Sequence, residues 1–102
     1  MVNVKKHLKI DYQLHKFLSV DDTLSKQYSP PTTYKCYMEE ELKTVVNDAG
    51  EEVVSDRTLY ADGSVEIVSD DLIEFEGNKY PIKALSNIRT KKGKIVLRVV
   101  YM

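Results

Sequence analysis

The feature that most constrains this chain is its punctuation after residue 31. Turn residues recur at Asn47-Asp48-Ala49-Gly50, Asp62-Gly63, Ser69-Asp70-Asp71, Gly77-Asn78 and Lys91-Lys92-Gly93-Lys94. The stretches between them are short, often alternating, and rich in β-branched and aromatic residues, the pattern of strands joined by tight turns. Asp62-Gly63 reads as a two-residue hairpin turn and Gly77-Asn78 as a type II′ turn. Tyr34, Cys36 and Met38 alternate with Lys35, Tyr37 and Glu39, and the run continues less regularly through Leu42 and Val45-Val46. A helix over Met38 to Val46 is the alternative, since Glu and Leu favour helices. Val53 to Tyr60 reads as a strand. Val65 and Ile67 face one way in the next short one, and Ile73 and Phe75 lie opposite Glu74 and Glu76 in another. Lys79 to Leu85 returns, with Pro81 marking an edge or a bulge. Ile95 to Tyr101 is apolar on both faces except for Arg98, so it needs cover on both sides. The expected fold is all-β, a small antiparallel β-barrel. Its expected core is Val65, Ile67, Ile73, Phe75, Ile82, Ile95, Leu97 and Val99, which leaves Val96 and Val100 on the outer face of the last strand.

Tyr28-Ser29-Pro30-Pro31-Thr32-Thr33 is the one compositional break, an extended linker. It divides residues 1–33, an N-terminal arm with its linker, from a β-barrel domain at 34–102. Within the arm, Ile10, Leu14, Phe17 and Leu18 fit one face of a short helix, while Ile10, Tyr12 and Leu14 alternate like a strand. The chain has 102 residues, enough for one domain with one core. No apolar stretch approaches the roughly 20 residues that span a membrane, and no apolar run follows Met1-Val2-Asn3-Val4-Lys5-Lys6 as a secretory signal requires. The single Cys36 builds no disulfide framework and suits a reducing compartment.

Charge is sorted along the chain. Residues 39–76 hold thirteen of the sixteen acids against Lys43 and Arg57, whereas residues 77–102 hold seven bases and no acid. Soluble monomers usually intersperse their signs. Two oppositely charged segments either neutralise each other within one sheet or bind copies of the chain head to tail, a heterologous contact that closes into a ring when the rotation allows.

No phosphate loop, GxSxG, HExxH or CxxC motif is present, and no enzyme activity or cofactor is expected. His7, Asp11 and His15 lack the further ligand that a metal would require, and Asp70-Asp71 lacks the spacing of a calcium loop. Turn or strand-cap duty suits the aspartates better. Cys36 has no activating histidine beside it and reads as a small core residue. Arg89, Lys91, Lys92, Lys94 and Arg98 make a basic hairpin able to touch phosphates, but only Tyr101 is near in sequence for base stacking.

From Tyr34-Lys35-Cys36-Tyr37-Met38-Glu39, through Asn47-Asp48-Ala49-Gly50-Glu51-Glu52-Val53-Val54-Ser55 and Asp71-Leu72-Ile73-Glu74-Phe75-Glu76-Gly77-Asn78-Lys79-Tyr80-Pro81-Ile82, to Gly93-Lys94-Ile95-Val96-Leu97-Arg98-Val99-Val100-Tyr101, the chain resembles a known group. These are the small minor capsid or head-tail connector proteins of long-tailed phages and prophages of Gram-positive bacteria, above all the head-completion stoppers. The resemblance implies a virion protein, assembled in the host bacterial cytoplasm, that forms a homo-oligomeric ring. The ring would lie between the portal with its adaptor and the tail-completion protein, with no membrane partner. Packaged DNA would pass through without sequence-specific binding. By place in the strand order, Thr44 to Ser55 corresponds to the stopper's channel loop, with Asp48, Gly50, Glu51 and Glu52 at the channel surface. Acids there would repel phosphate and let DNA slide. Arg89, Lys91, Lys92, Lys94, Val96, Arg98 and Val100 are the expected ring interface. A DNA- or RNA-binding β-barrel using the basic 89–98 hairpin is the competing reading.

Overall fold

The computed structural model describes residues 9–102. Nine strands follow one another: β1 (Ile10–His15), β2 (Phe17–Val20), β3 (Lys26–Tyr28), β4 (Thr32–Val46), β5 (Glu52–Asp62), β6 (Leu72–Phe75), β7 (Asn78–Pro81), β8 (Ala84–Arg89) and β9 (Ile95–Tyr101). The described residues contain no helix. Seven strands form one antiparallel sheet in the order β7-β6-β1-β4-β5-β9-β8, and β2 with β3 makes a separate hairpin.

The all-β expectation holds, but the barrel does not close. β7 and β8 are both edges and do not pair with each other. They are nevertheless close, because three residue steps from Pro81 to Ala84 reach at most about 11 Å. The Arg57 guanidinium on β5 lies 5.2 Å from the centre of the Tyr80 ring on β7, across the curl. Pro81 ends β7 with no N–H to donate, which suits an edge. At the corner, the Lys83 N–H donates to the Tyr101 carbonyl at 2.8 Å, steering the chain onto β9's flank.

The N-terminal segment is the second correction. Alternation prevails over helical spacing: Tyr12 and Leu14 are buried while Asp11 is exposed. β1 is an interior strand, paired with β4 through Ile10↔Cys36 to Leu14↔Thr32 and with β6 through Gln13↔Glu74 to His15↔Leu72. The boundary at residue 33 therefore does not divide the core. Tyr12 and Leu14 pack in one cluster with Cys36, Leu59, Ala61, Ile67, Ile73, Val100 and Met102.

The segment after Asp62 is the third. No strand forms over Val65 to Val68, so Asp62-Gly63 is a turn without a hairpin behind it. Glycine is required there by proximity. A Cβ on Gly63 would lie 2.2 Å from the Ile95 carbonyl oxygen, and the Gly63 N–H donates to Val96 O at 3.1 Å. Ile67 still reaches the core from this loop, with Val65 packed against it. Asp71 anchors the loop. Its buried carboxylate accepts from Lys16 Nζ, from the Phe17 N–H at 2.8 Å and from the Val68 N–H at 3.0 Å, tying the β1–β2 junction to the loop. The turn-capping reading of this aspartate is met locally by Val68, while Lys16 and Phe17 add partners far away in sequence.

The last strand is turned over relative to expectation. Ile73, Ile67 and Phe75 are buried as expected, but Ile82, Ile95 and Leu97 are only half-buried. Val100 pairs with Leu59 and is fully buried, so the even-numbered face of β9 looks into the core. Val99 is also buried, on the opposite face. A strand apolar on both sides gives periodicity nothing with which to choose a face, and a shift by one residue exchanges the faces.

Gly63→Ala should cost about 3 kcal/mol, the upper end for a forced overlap, because backbone rather than a mobile side chain stands in the way. Gly50→Ala meets nothing within 4 Å and strains only a backbone at φ +79°, so about 1 to 2 kcal/mol is expected. Denaturant midpoints of the two variants measure the difference.

Candidate interaction surfaces

Asp48, Gly50, Glu51 and Glu52 lie together and exposed at the far end of the β4–β5 ribbon. The ribbon is longer and the loop shorter than the resemblance implied. β4 runs to Val46 and β5 begins at Glu52, with Thr44↔Val54, Val45↔Val53 and Val46↔Glu52 paired. Thr44 to Ser55 is therefore a paired hairpin closed by a tight turn. The Asn47 side-chain oxygen accepts from the N–H groups of Ala49 and Glu51, both at 3.0 Å, and the Gly50 N–H donates to Asn47 O. A side chain that hydrogen-bonds its own turn orders a segment that buries little.

Arg89, Lys91, Lys92 and Lys94 are exposed around the β8–β9 turn. Arg89 Nη1 donates to Gly93 O at 2.8 Å, and the Thr90 hydroxyl accepts from the Lys94 N–H at 3.2 Å. Arg98 does not join them at the surface. It is half-buried on the core-facing side of β9, its Nη1 3.5 Å from Asn87 Oδ1 and its Nε buried without a partner. Val96 is half-buried and Val100 has no exposed surface, so Val100 belongs to the core and not to an interface.

The two charged ends do not neutralise each other. Ion pairs among the described residues join Lys16 to Asp71, Lys26 to Asp70, Lys35 to Asp11, Lys43 to Glu39 and Arg57 to Glu40, and the His15 ring nitrogen contacts Glu74. None of them draws on the basic segment 77–102. Register explains why. β9 meets β5 only at Thr58–Asp62, and the turn that precedes β9 extends beyond Asp62. The acidic turn lies beyond Glu52, ten residue steps away along β5, roughly 33 Å for an extended strand. The molecule is 47 Å along its longest axis, so the acidic turn and the basic turn mark opposite ends of the β5 line.

Between these ends lies a surface that sequence reading missed. Pairing places Tyr37, Tyr60, Val99 and Ser86 in one row across four strands. Leu97 and Ile88 flank it on one side, Thr58, Tyr101 and Ala84 on the other; Val99, Thr58 and Ala84 are buried, so the exposed part of this face is carried by Tyr37, Ser86 and Ile88. This is the face turned away from the core. Tyr37 is 47% and Ile88 47% exposed. The Tyr37 and Tyr60 rings sit 5.8 Å apart and tilted. The Tyr60 hydroxyl donates to Glu39 Oε1 at 2.7 Å, and this bond, followed by Lys43, holds the Glu39 carboxyl below its usual range. Alternation within each strand was visible, but the alignment of the β4–β5 hairpin with the β8–β9 hairpin, which lies far along the chain, is a property of register alone.

The remaining candidates have structural roles. Cys36 is fully buried, and burial pushes its thiol up to about 12, leaving no thiolate for chemistry near neutral pH. His15 Nε2 lies 2.9 Å from Glu74 Oε1. His7 is outside the described residues. Among the described residues no group of three or more His, Cys, Asp or Glu side chains could hold a metal, and no helix is long and apolar enough to cross a membrane. A scan against protein-family models found no match, and neither did a search of the curated proteins.

Val100→Ala should cost about 2 to 3 kcal/mol, whereas Ile88→Ala should stay within about 0.5 kcal/mol. Chemical denaturation of both variants checks the face assignment of β9. Cys36 should resist alkylation in the native protein at pH 8 and react fully in denaturant, as read by mass spectrometry.

Proposed function

We propose that this chain is a structural protein of the neck of a long-tailed phage particle. It would assemble head to tail into a ring between portal or adaptor and tail, complete the head and help to retain packaged DNA. The observation that carries the reading is the separation of charge: an acidic turn, and a basic turn that has no ion pair among the described residues, at opposite ends of one sheet. Such a molecule attracts copies of itself end to end and disfavours like-to-like contact. The resemblance over residues 34–101 supports the same reading. An incompletely closed barrel suits this role as well as a closed one, because ring neighbours can shield the two edges.

In this reading the channel element is the tip of the β4–β5 ribbon. Asp48, Glu51 and Glu52 would face DNA and repel its phosphates. The test is made in phage heads carrying the triple variant Asp48→Asn, Glu51→Gln, Glu52→Gln. Filling should be normal, and the fraction of DNA retained in tailless heads, or its rate of release, should change. Unchanged retention and release would remove the ribbon tip from the channel, and absence of the protein from purified heads would end the reading altogether.

A second reading, nucleic-acid binding through Arg89, Lys91, Lys92 and Lys94, draws on the same lack of acidic partners. It predicts that log K falls linearly with log salt, with a slope near −0.9 per phosphate contacted on duplex DNA. It also predicts that reversing three of these lysines and arginines to Glu abolishes binding. Salt-independent or absent binding excludes it.

A further inference from the structure

The β4–β5 ribbon leaves the body of the sheet. β1 pairs with β4 only as far as Cys36; on β5 the Asp56 N–H and the Arg57 carbonyl still bond Met102, and the Val54 carbonyl accepts from the Lys83 ammonium, so among the described residues only the turnward end, from Val45 and Val53 on, has no strand beside it but its own partner. A two-stranded ribbon is marginal on its own in water. This one also exposes large apolar side chains: Leu42 74%, Val46 61% and Val54 57%. Val46 and Val54 lie on one face of the ribbon, set two residues apart through the Thr44↔Val54 and Val46↔Glu52 pairs. Around them stand Glu40, Glu41, Glu51, Glu52 and Asp56, all exposed. Of these acids only Glu40 has an ion pair among the described residues, with Arg57, and an apolar strip rimmed by the negative charge of the others has the form of one half of an interface.

The other half is on the same molecule, at its opposite end. Ile88, half exposed, stands beside Leu97 on the face turned from the core, and the basic turn borders that patch with Arg89, Lys91, Lys92 and Lys94. We infer that the Val46–Val54 face of the ribbon of one copy packs on the Ile88–Leu97 patch of a second copy, with the ribbon's acids against the second copy's basic turn. A single-stranded nucleic acid stacked on Tyr37 and Tyr60 fits this surface less well. The two rings already contact each other, and the Lys43 ammonium that reaches the Tyr60 hydroxyl is taken up by Glu39. A second copy supplies both the apolar match and the opposite charge.

This contact rests on the head-to-tail reading above, but it can be tested apart from it. Because Cys36 is buried, single cysteines at Val46→Cys and Ile88→Cys can be placed in the otherwise native chain. Both sites are exposed, so the fold should survive, as circular dichroism will show. Under mild oxidation the mixed variants should form a disulfide-linked pair, while each variant alone should form far less. Val54→Asp or Ile88→Asp should weaken self-association at least tenfold by sedimentation, and raising salt should weaken the parent protein. Species that grow beyond two copies would support the contact and the ring together. A closed dimer with two Val46-to-Ile88 contacts would uphold the contact and sink the ring. A parent protein that stays monomeric at high concentration and low salt, or mixed variants that cross-link no better than each variant alone, would overturn the contact itself. So would binding of single-stranded oligonucleotide that is lost on Ile88→Asp without any self-association.

Discussion

The antiparallel ladder between β4 and β5 is the constraint on which the rest of the molecule depends. It is the longest pairing in the sheet, running from Cys36↔Ala61 to Val46↔Glu52 with one irregularity between Glu40 and Lys43. β1 docks on one flank and β9 on the other, and each brings its own partner, β6 with β7 and β8 respectively. Because every neighbour takes its register from this ladder, one alignment decides which side chains share the core. Cys36, Leu59 and Val100 come together through it, though they stand far apart in sequence. Deleting a large buried side chain from such a layer costs several kcal/mol, a substantial part of what holds a domain of this size.

The ladder also sets the electrostatics. Long strands hold the acidic turn and the basic turn apart by more than the screening length at physiological salt, about 8 Å. Acids near bases of the first segment find partners, as Asp71 does with Lys16 and Glu74 with His15. The cations of the β8–β9 turn find none among the described residues because no acidic strand runs beside them. Neutralisation between strands, the plainer explanation of sorted charge, has its geometry in the β6–β7 hairpin, where Lys79 lies opposite Glu74, and does not reach the β8–β9 turn. What remains is a molecule with a dipolar long axis and an apolar strip near each pole.

Much of the fold was legible in the residues. Turn chemistry marked Asn47 to Gly50 and Lys91 to Lys94 correctly, because side chains such as Asn47 hydrogen-bond their own turn and glycine accepts positive φ at Gly50 and Gly93; the type II′ turn expected at Gly77-Asn78 lies one residue earlier, at Glu76-Gly77, both at positive φ as in type I′, with Asn78 already paired to Phe75. Alternation marked Ile73 and Phe75 as core, since Glu74 and Glu76 stand between and after them. It cannot choose a face where a segment is apolar on both sides, which is why the pattern of β9 predicts its two faces exchanged. Asp62-Gly63 looks like a hairpin, yet its glycine answers to the Ile95 carbonyl, which local sequence cannot reveal.

The sequence by itself determined the all-β class, most turn positions and the sorting of charge, because these depend on residues within a few positions of one another. Tertiary structure alone decided that β1 lies inside the sheet, that the barrel stays open at Ile82–Lys83, that Val100 is core, and that Ile88 and Leu97 form a surface beside the basic turn. Each of these rests on the register between distant strands. Register is set by the packing of the whole sheet, and a shift of one residue, invisible in any local pattern, would have reversed every face.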